Sequence, residues 1–290
     1  MKKRTQKLLS VLLTAALTAG TFGTCFAGAE EVSDTFTFVS TEPNTLNMIE
    51  SSSNLDDYVF YLTNAMLYRS IDGEVTAELC DSMEVSDDGC TYTYTIKEAY
   101  YTDGSQIVAD DFVYYFVKHY ITSSNYSYFV GGEDTYNDSL DTCEGVYSLD
   151  DSTFVVTLVQ PTTAFDGLLE IYPLNQAFAE EKGDALGGTP DDLMYSGPYV
   201  LTEWVVGSYM TFVKNDSYIN ADTLFPTENL KMMVSTDSST TYSMYLNGEV
   251  DAIISVNSDL SEMLGVENCT WYSSGNVWGL EFNTTGCTYT

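Results

Sequence analysis

Apolar and polar positions change period several times along this chain, and each change marks an element. Thr35-Phe36-Thr37-Phe38-Val39 alternates as a strand does, one face for a core and one for water. From about Leu55 the spacing turns helical, with Leu55, Tyr58, Val59, Leu62, Ala65 and Met66 on one face. Met83 and Val85 then lead into Asp87-Asp88-Gly89. An Asp that folds back on its own backbone and a Gly that tolerates positive φ predict a tight turn there. Beyond it Tyr92, Tyr94 and Ile96 alternate with Thr91, Thr93 and Thr95, so a hairpin is expected. Tyr101-Thr102-Asp103-Gly104 breaks the pattern. From Ala109 a second helical stripe holds Phe112, Val113, Phe116, Val117 and Tyr120, with Asp110 and Asp111 at its positive N-terminal end.

The same alternation continues downstream. Leu149-Asp150-Asp151-Ser152 turns into a strand over residues 153–159, Pro161 ends it, and Phe165, Leu168, Leu169 and Tyr172 mark a helix. Gly187-Gly188-Thr189-Pro190 reads as a loop between subdomains. A strand through Tyr199 and Trp204, a turn at Val206-Gly207-Ser208 and a strand through Phe212 and Val213 follow. Tyr242, Tyr245 and Leu246 form a helical stripe that stops at Asn247-Gly248, before strands over 252–256 and 277–284. Strands and helices in this mixture make an α/β protein.

Composition adds a real core and an acidic surface. The 290 residues suffice for one large or two ordinary domains, and 44% hydrophobic with 14% aromatic content is not that of a disordered acidic tail. Ten basic against 43 acidic residues give a formal charge of -33, which repels nucleic acid and anionic lipid at long range. Residues 1–29 have the form of a signal peptide: basic Lys2, Lys3, Arg4 and Lys7, an apolar run from Leu8 to Ala19, and Ala27-Gly28-Ala29 as a small-x-small cleavage site. Export is therefore expected. After cleavage Cys80, Cys90, Cys143, Cys269 and Cys287 remain; export permits disulfides, but an odd number leaves at least one without a partner in the chain. There is no CxxC and no His/Cys cluster, so no metal or other cofactor is expected.

Several ordered strings carry a family resemblance. The first is the turn, strand, Tyr101-Thr102-Asp103-Gly104, then Ala109-Asp110-Asp111-Phe112-Val113-Tyr114 opening a helix. The second is Gly197-Pro198-Tyr199 with its strand, turn and strand, ending in Asn215-Asp216-Ser217-Tyr218; the third is Asn247-Gly248-Glu249-Val250-Asp251. Together they resemble the extracellular solute-binding proteins of peptide and nickel ABC importers, the oligopeptide- and dipeptide-binding family. Tyr101 stands where that family usually has Trp, Lys97 where it has Arg, and Val108 where Thr commonly caps the helix. Val108 has no acceptor for the first turn, a loss of about 1 kcal/mol at a typical cap.

The resemblance implies a fold like the type II periplasmic binding proteins. On that basis 1–29 is the signal peptide, 30–62 with 190–286 the discontinuous core of lobe one, 63–189 an inserted α+β subdomain, and 287–290 the start of a second lobe absent from this chain. It also implies a site. Ser52, Ser53 and Asn54 belong to a segment that approaches the ligand backbone in relatives, with Asn54 equally able to be a helix cap. Tyr126 or Tyr128 is the aromatic candidate, against simple packing among 23 tyrosines. Trp278 and Asn283 fall near the cleft in the same analogy. Cys25 is a possible lipid anchor, although Phe22-Gly23-Thr24 fits a lipoprotein box poorly and cleavage to a free form is favoured.

What the resemblance implies for function is capture of a peptide or other small solute by a monomer that delivers it to ABC permease subunits in the membrane. The residues themselves do not call for catalysis. His119 is a lone histidine in a helix, and the acid pairs Asp56-Asp57, Asp110-Asp111, Asp150-Asp151 and Asp191-Asp192 all sit where turns or helix starts are expected. Two readings from other classes stay open at this point: a secreted hydrolase using paired carboxylates, and an acidic cell-surface structural protein.

Overall fold

The computed structural model describes residues 34–71, 74–121, 126–134, 142–161, 171–221, 227–254, 257–265, 267 and 269. Two sheets organise them. The larger has five strands: β1 (Thr35–Ser40), β8 (Tyr199–Val205), β9 (Tyr209–Lys214), β10 (Asn229–Val234) and β11 (Ala252–Ile253), in the order β11-β1-β10-β9-β8. The first strand of the chain thus lies inside a sheet made from residues some two hundred positions later. It pairs in parallel with β10 and β11, Phe38 standing opposite Met232 and Ala252. Phe38, Val39 and Ser40 are buried in succession, so both faces are covered at this end of the strand and the alternation of Thr35 to Val39 does not extend to it. β8 and β9 are the expected hairpin, with Gly207 at φ 72° in its turn. Glu42 holds that turn from below, its Oε1 accepting from Trp204 Nε1 at 3.0 Å and from Gly207 N at 2.8 Å.

The second sheet has four strands, β4 (Cys80–Val85), β5 (Thr91–Ile96), β6 (Val146–Asp150) and β7 (Thr153–Thr157), in the order β4-β5-β7-β6. Its opening hairpin follows the predicted chemistry. Asp88 Oδ1 accepts from Cys90 N at 3.1 Å and Gly89 takes φ 71°. Tyr92, Tyr94 and Ile96 are buried while the threonines between them are half-buried, so the period of two is realised as read. A two-stranded ribbon, β2 (Tyr68–Ile71) with β3 (Glu74–Ala77), precedes it.

Helix α2 (Ala109–Tyr115) packs on this second sheet through stacked rings: Phe112 on Phe154 at 5.3 Å and Phe154 on Tyr94 at 5.0 Å between centroids. Burying each such ring contributes roughly 1.5–3 kcal/mol. From Phe116 to Ile121 the helix widens into a π-helical turn. The stripe shifts accordingly: Phe112, Phe116 and Val117 are buried as expected, Tyr114 and Tyr115 join them, and Val113 and Tyr120 are only half-buried. Val108 provides no side-chain cap, and Asp111 Oδ2 accepts from Val108 N at 3.0 Å instead.

Other expectations are corrected. Helix α1 (Asn54–Thr63) buries Asp56, Val59, Phe60 and Thr63, not Leu55, Tyr58 and Leu62. That is a perfect helical spacing, but two of its members are polar and an apolar count passes over them. Ala65 and Met66 are buried from irregular chain beyond the helix, because Asn64 turns extended at φ -124° and ψ 138°. β7 stops at Thr157, and Tyr172 lies in irregular backbone; the rest of the helix read there falls outside the described residues. Helix α4 (Ser238–Leu246), which follows α3 (Gln176–Lys182), buries Thr241, while Tyr242 and Tyr245 are half-buried and Leu246 is exposed. β11 is two residues long before 255–256 leave the described set, as does the strand read over 277–284, and α5 (Ser258–Leu264) was not anticipated.

Glycines mark two close approaches. A Cβ on Gly197 would stand 2.4 Å from Asn64 N, and one on Gly187, at φ 77°, would stand 2.3 Å from Asn47 N. Both bring the chain of the second half against the ends of α1 and its preceding loop. Among the described residues no helix is long and apolar enough to cross a membrane.

Candidate functional site

The site grows from the buried acid at the start of α1. Asp56 is 1% exposed and accepts from Asn44 N at 2.6 Å, Thr45 N at 3.3 Å and Ser51 Oγ at 2.8 Å. Asn47 completes the loop: its Oδ1 accepts from Ile49 N at 3.0 Å and its carbonyl from Glu50 N and Ser51 N at 3.1 and 3.0 Å. The Asp56 bonds hold residues 44, 45 and 51 on the helix start, and the Asn47 bonds close the loop between them. The chain then emerges as Ser51-Ser52-Ser53, and Ser53, at φ -131° and ψ 131°, caps α1 by accepting from Leu55 N at 3.3 Å. Asn54 is therefore the first helical residue and not the cap.

A cavity of about 180 Å³ opens at this corner, lined by Ser51, Ser52, Ser53, Asn54, Asp57, Phe60, Tyr115 and His119. The last two come from α2 and its π-helical extension. Tyr115 and His119 stack at 5.1 Å with their planes 8° apart, and Tyr115 meets Tyr172 edge-on at 5.5 Å. His119 Nδ1 lies 3.4 Å from the carbonyl of Ile49. A carbonyl only accepts, so Nδ1 carries the proton in that contact, and the backbone of Met48 faces the ring as well. Burial lowers the His119 pKa, and the ring is neutral near pH 7.

Three of the residues expected from sequence, Ser52, Ser53 and Asn54, thus come together on one cavity wall. Tyr126 and Tyr128 lie on a 3₁₀ turn, Tyr126–Tyr128, and Tyr128 is exposed and does not line this cavity. Trp278, Asn283 and Cys25 fall outside the described residues. Asp57, Phe60, Tyr115 and His119 were not read as site residues. The available signal was the spacing of Tyr115 and His119, one helical turn apart next to a segment already suspected.

A second buried acid lies away from the cavity. Asp111, 3% exposed, has its pKa pushed up to about 6 by burial, although Val108 N and the Tyr101 phenol favour its charged form. Tyr101 is 1% exposed, and burial together with the nearby carboxylate drives its own pKa upward. Cys80, Cys90, Cys143 and Cys269 are free thiols. Among the described residues no group of three or more His, Cys, Asp or Glu could hold a metal ion.

Comparison with known proteins places this architecture. Residues 74–288 match the model of the bacterial extracellular solute-binding proteins, family 5, middle. The dipeptide-binding protein of Lactococcus lactis is 29% identical over 231 residues, covering 74% of this chain and 42% of its own. The oligopeptide-binding protein OppA of Bacillus subtilis is 28% identical over 272 residues, 87% of this chain and 49% of its own. Among solved structures, Listeria monocytogenes OppA bound to peptide superposes with a TM-score of 0.68 at 25% identity, covering 75% of this chain and 46% of that one. An oligopeptide-binding protein of Borrelia burgdorferi superposes with a TM-score of 0.72 at 23% identity, covering 80% and 49%, and shares the fold. The chain spans less than half the length of these relatives. With three quarters of its length matched by the family model, the chain belongs to the bacterial extracellular solute-binding proteins of family 5.

Proposed function

We propose that this protein is the extracellular solute-binding component of an ABC importer, capturing peptides and delivering them to membrane permease subunits. The observation that carries the reading is the cavity at the start of α1, where Ser52, Ser53 and Asn54 share the lining with the rings of Phe60, Tyr115 and His119, in a chain whose residues 74–288 match the solute-binding family. The hydrogen bonds of Asp56 and Asn47 fix that wall before any ligand arrives, which lowers the ordering cost of binding. An extended peptide would lie along this segment with its backbone hydrogen-bonded as an added strand.

In this reading 30–62 with 190–286 form the core of lobe one and 63–189 an inserted subdomain, with Tyr126, Tyr128, Trp278 and Asn283 further along the ligand path. The five-stranded sheet, drawn from β1 and β8 to β11, and the four-stranded sheet, drawn from β4 to β7, support that division. The protein works as a monomer outside the membrane after removal of residues 1–29, or tethered through Cys25. Elution and mass analysis of what co-purifies with the full-length protein, followed by calorimetry with defined peptides of two to eight residues, tests the proposal. Micromolar or tighter binding of peptides without their hydrolysis is expected. Hydrolysis, or no binding across the series, would overturn it.

A further inference from the structure

The cavity beside α1 is unequal in what it offers a ligand. Ser51 has spent its hydroxyl proton on Asp56, so only lone pairs remain to it. Asp57, on the cavity wall, is a carboxylate, which accepts and does not donate. His119 gives Nδ1 to the carbonyl of Ile49, and a neutral ring protonated there keeps its lone pair on Nε2. Ser52, Ser53 and Asn54 can adapt either way. The balance favours a ligand group rich in donors.

Charge decides the same way. A helix start carries roughly half a positive charge, which by itself would attract an anion. Here the first turn of α1 contains both Asp56 and Asp57, and Ser53 already answers Leu55 N. Two full negative charges outweigh the partial positive one, in a protein with 43 acidic and 10 basic residues. Phe60 and Tyr115 add apolar wall that excludes water from around such a charge. The volume of about 180 Å³ also suits a compact group; a cavity of roughly 150 Å³ is known to take a benzene ring.

We propose that this cavity is a specificity pocket for a positively charged group, the guanidinium or ammonium of a bound solute, with Asp57 as its counter-charge and His119 as an added acceptor. The inference rests on the solute-binding reading above and narrows its substrate class to solutes that place a cation at this corner.

The test uses the full-length protein and tetrapeptides that carry arginine, or its neutral isostere citrulline, at each position of an alanine background. At one position arginine binds at least tenfold more tightly by calorimetry. In Asp57→Asn that preference falls below about twofold while the citrulline peptide binds as before, which also shows that the variant is folded. His119→Phe, which keeps a ring on Tyr115 but removes both nitrogens and the Ile49 contact, weakens the arginine peptide about threefold more than the citrulline peptide. Equal binding of both peptides at every position, or a preference unchanged in Asp57→Asn, overturns the inference and leaves peptide capture standing. If no peptide binds, peptide capture itself fails, and agmatine alone decides the pocket: binding that Asp57→Asn abolishes sustains it, and none overturns it.

Discussion

Arg69 and Glu78 form a buried ion pair, with Arg69 Nε 2.9 Å from Glu78 Oε2 and side chains only 7% and 2% exposed. The remaining guanidinium donors reach Tyr61 O at 2.8 Å and Asn64 O at 2.9 Å, and the Tyr218 hydroxyl donates to Glu78. One residue pair therefore ties the end of α1 to the β2–β3 ribbon and to the turn after β9. Removing one partner strands the other. Arg69→Met is expected to lower stability by about 3–5 kcal/mol, the usual result of leaving a buried charge alone. The double variant Arg69→Met with Glu78→Met should cost less than either single change in urea unfolding; additive losses would show that the two groups do not act as a pair.

Asp56 makes a comparable prediction nearer the cavity. Bonds to a charged group are worth about 1.5–3 kcal/mol each, and Asp56 holds three donors of the 44–51 loop. Asp56→Ala should destabilise the protein by more than a single such bond contributes, about 1.5–3 kcal/mol. Amide exchange over residues 44–53 should rise more than elsewhere, and solute affinity should fall with it. Unchanged protection of that loop would mean that the carboxylate does not organise it.

Asp111 links stability to pH. Its folded pKa of about 6 lies above the usual 3.8, so the folded protein holds the proton more tightly than the unfolded chain. Its stabilising contribution is complete below about pH 4 and is lost as pH rises through 6, a change of up to about 3 kcal/mol. Asp111→Asn keeps an acceptor for Val108 N without the charge. Relative to wild type, the variant should therefore gain stability between pH 4 and 7, measured by denaturant titration at each pH. A constant difference across that range would contradict the assignment.

Val108 offers an improvement. Its backbone, at φ -121° and ψ 164°, is already that of an N-cap, and the side chain alone lacks an acceptor. Val108→Thr should raise stability by about 0.5–1 kcal/mol, read as a higher denaturant midpoint with an unchanged slope. A lower midpoint would show that packing of the valine outweighs the cap.

How much of this was legible follows from the range of each interaction. The β4–β5 and β8–β9 hairpins were readable because turn chemistry and alternation are local: Asp88, Gly89 and Gly207 do in the fold what their types favour in any chain. The wall of Ser52, Ser53 and Asn54 was readable only through family resemblance; for Tyr115 and His119 the spacing shows that they share a helix face, but their meeting with α1 is a long-range contact that no local pattern carries.

By itself, then, the sequence determined the element types where hydrophobic period and turn residues agree, the start of α2, and the acidic character of the surface. The tertiary structure decided the rest. It made β1 an interior strand, paired on either edge by strands from the far end of the described chain, and buried Phe38, Val39 and Ser40 at its end. It also turned Asp56, Arg69 and Glu78 from apparent surface charges into interior ones, because each finds there the donors or counter-charge that make burial tolerable. A polar residue's burial depends on partners distant in sequence, and no local pattern can announce them.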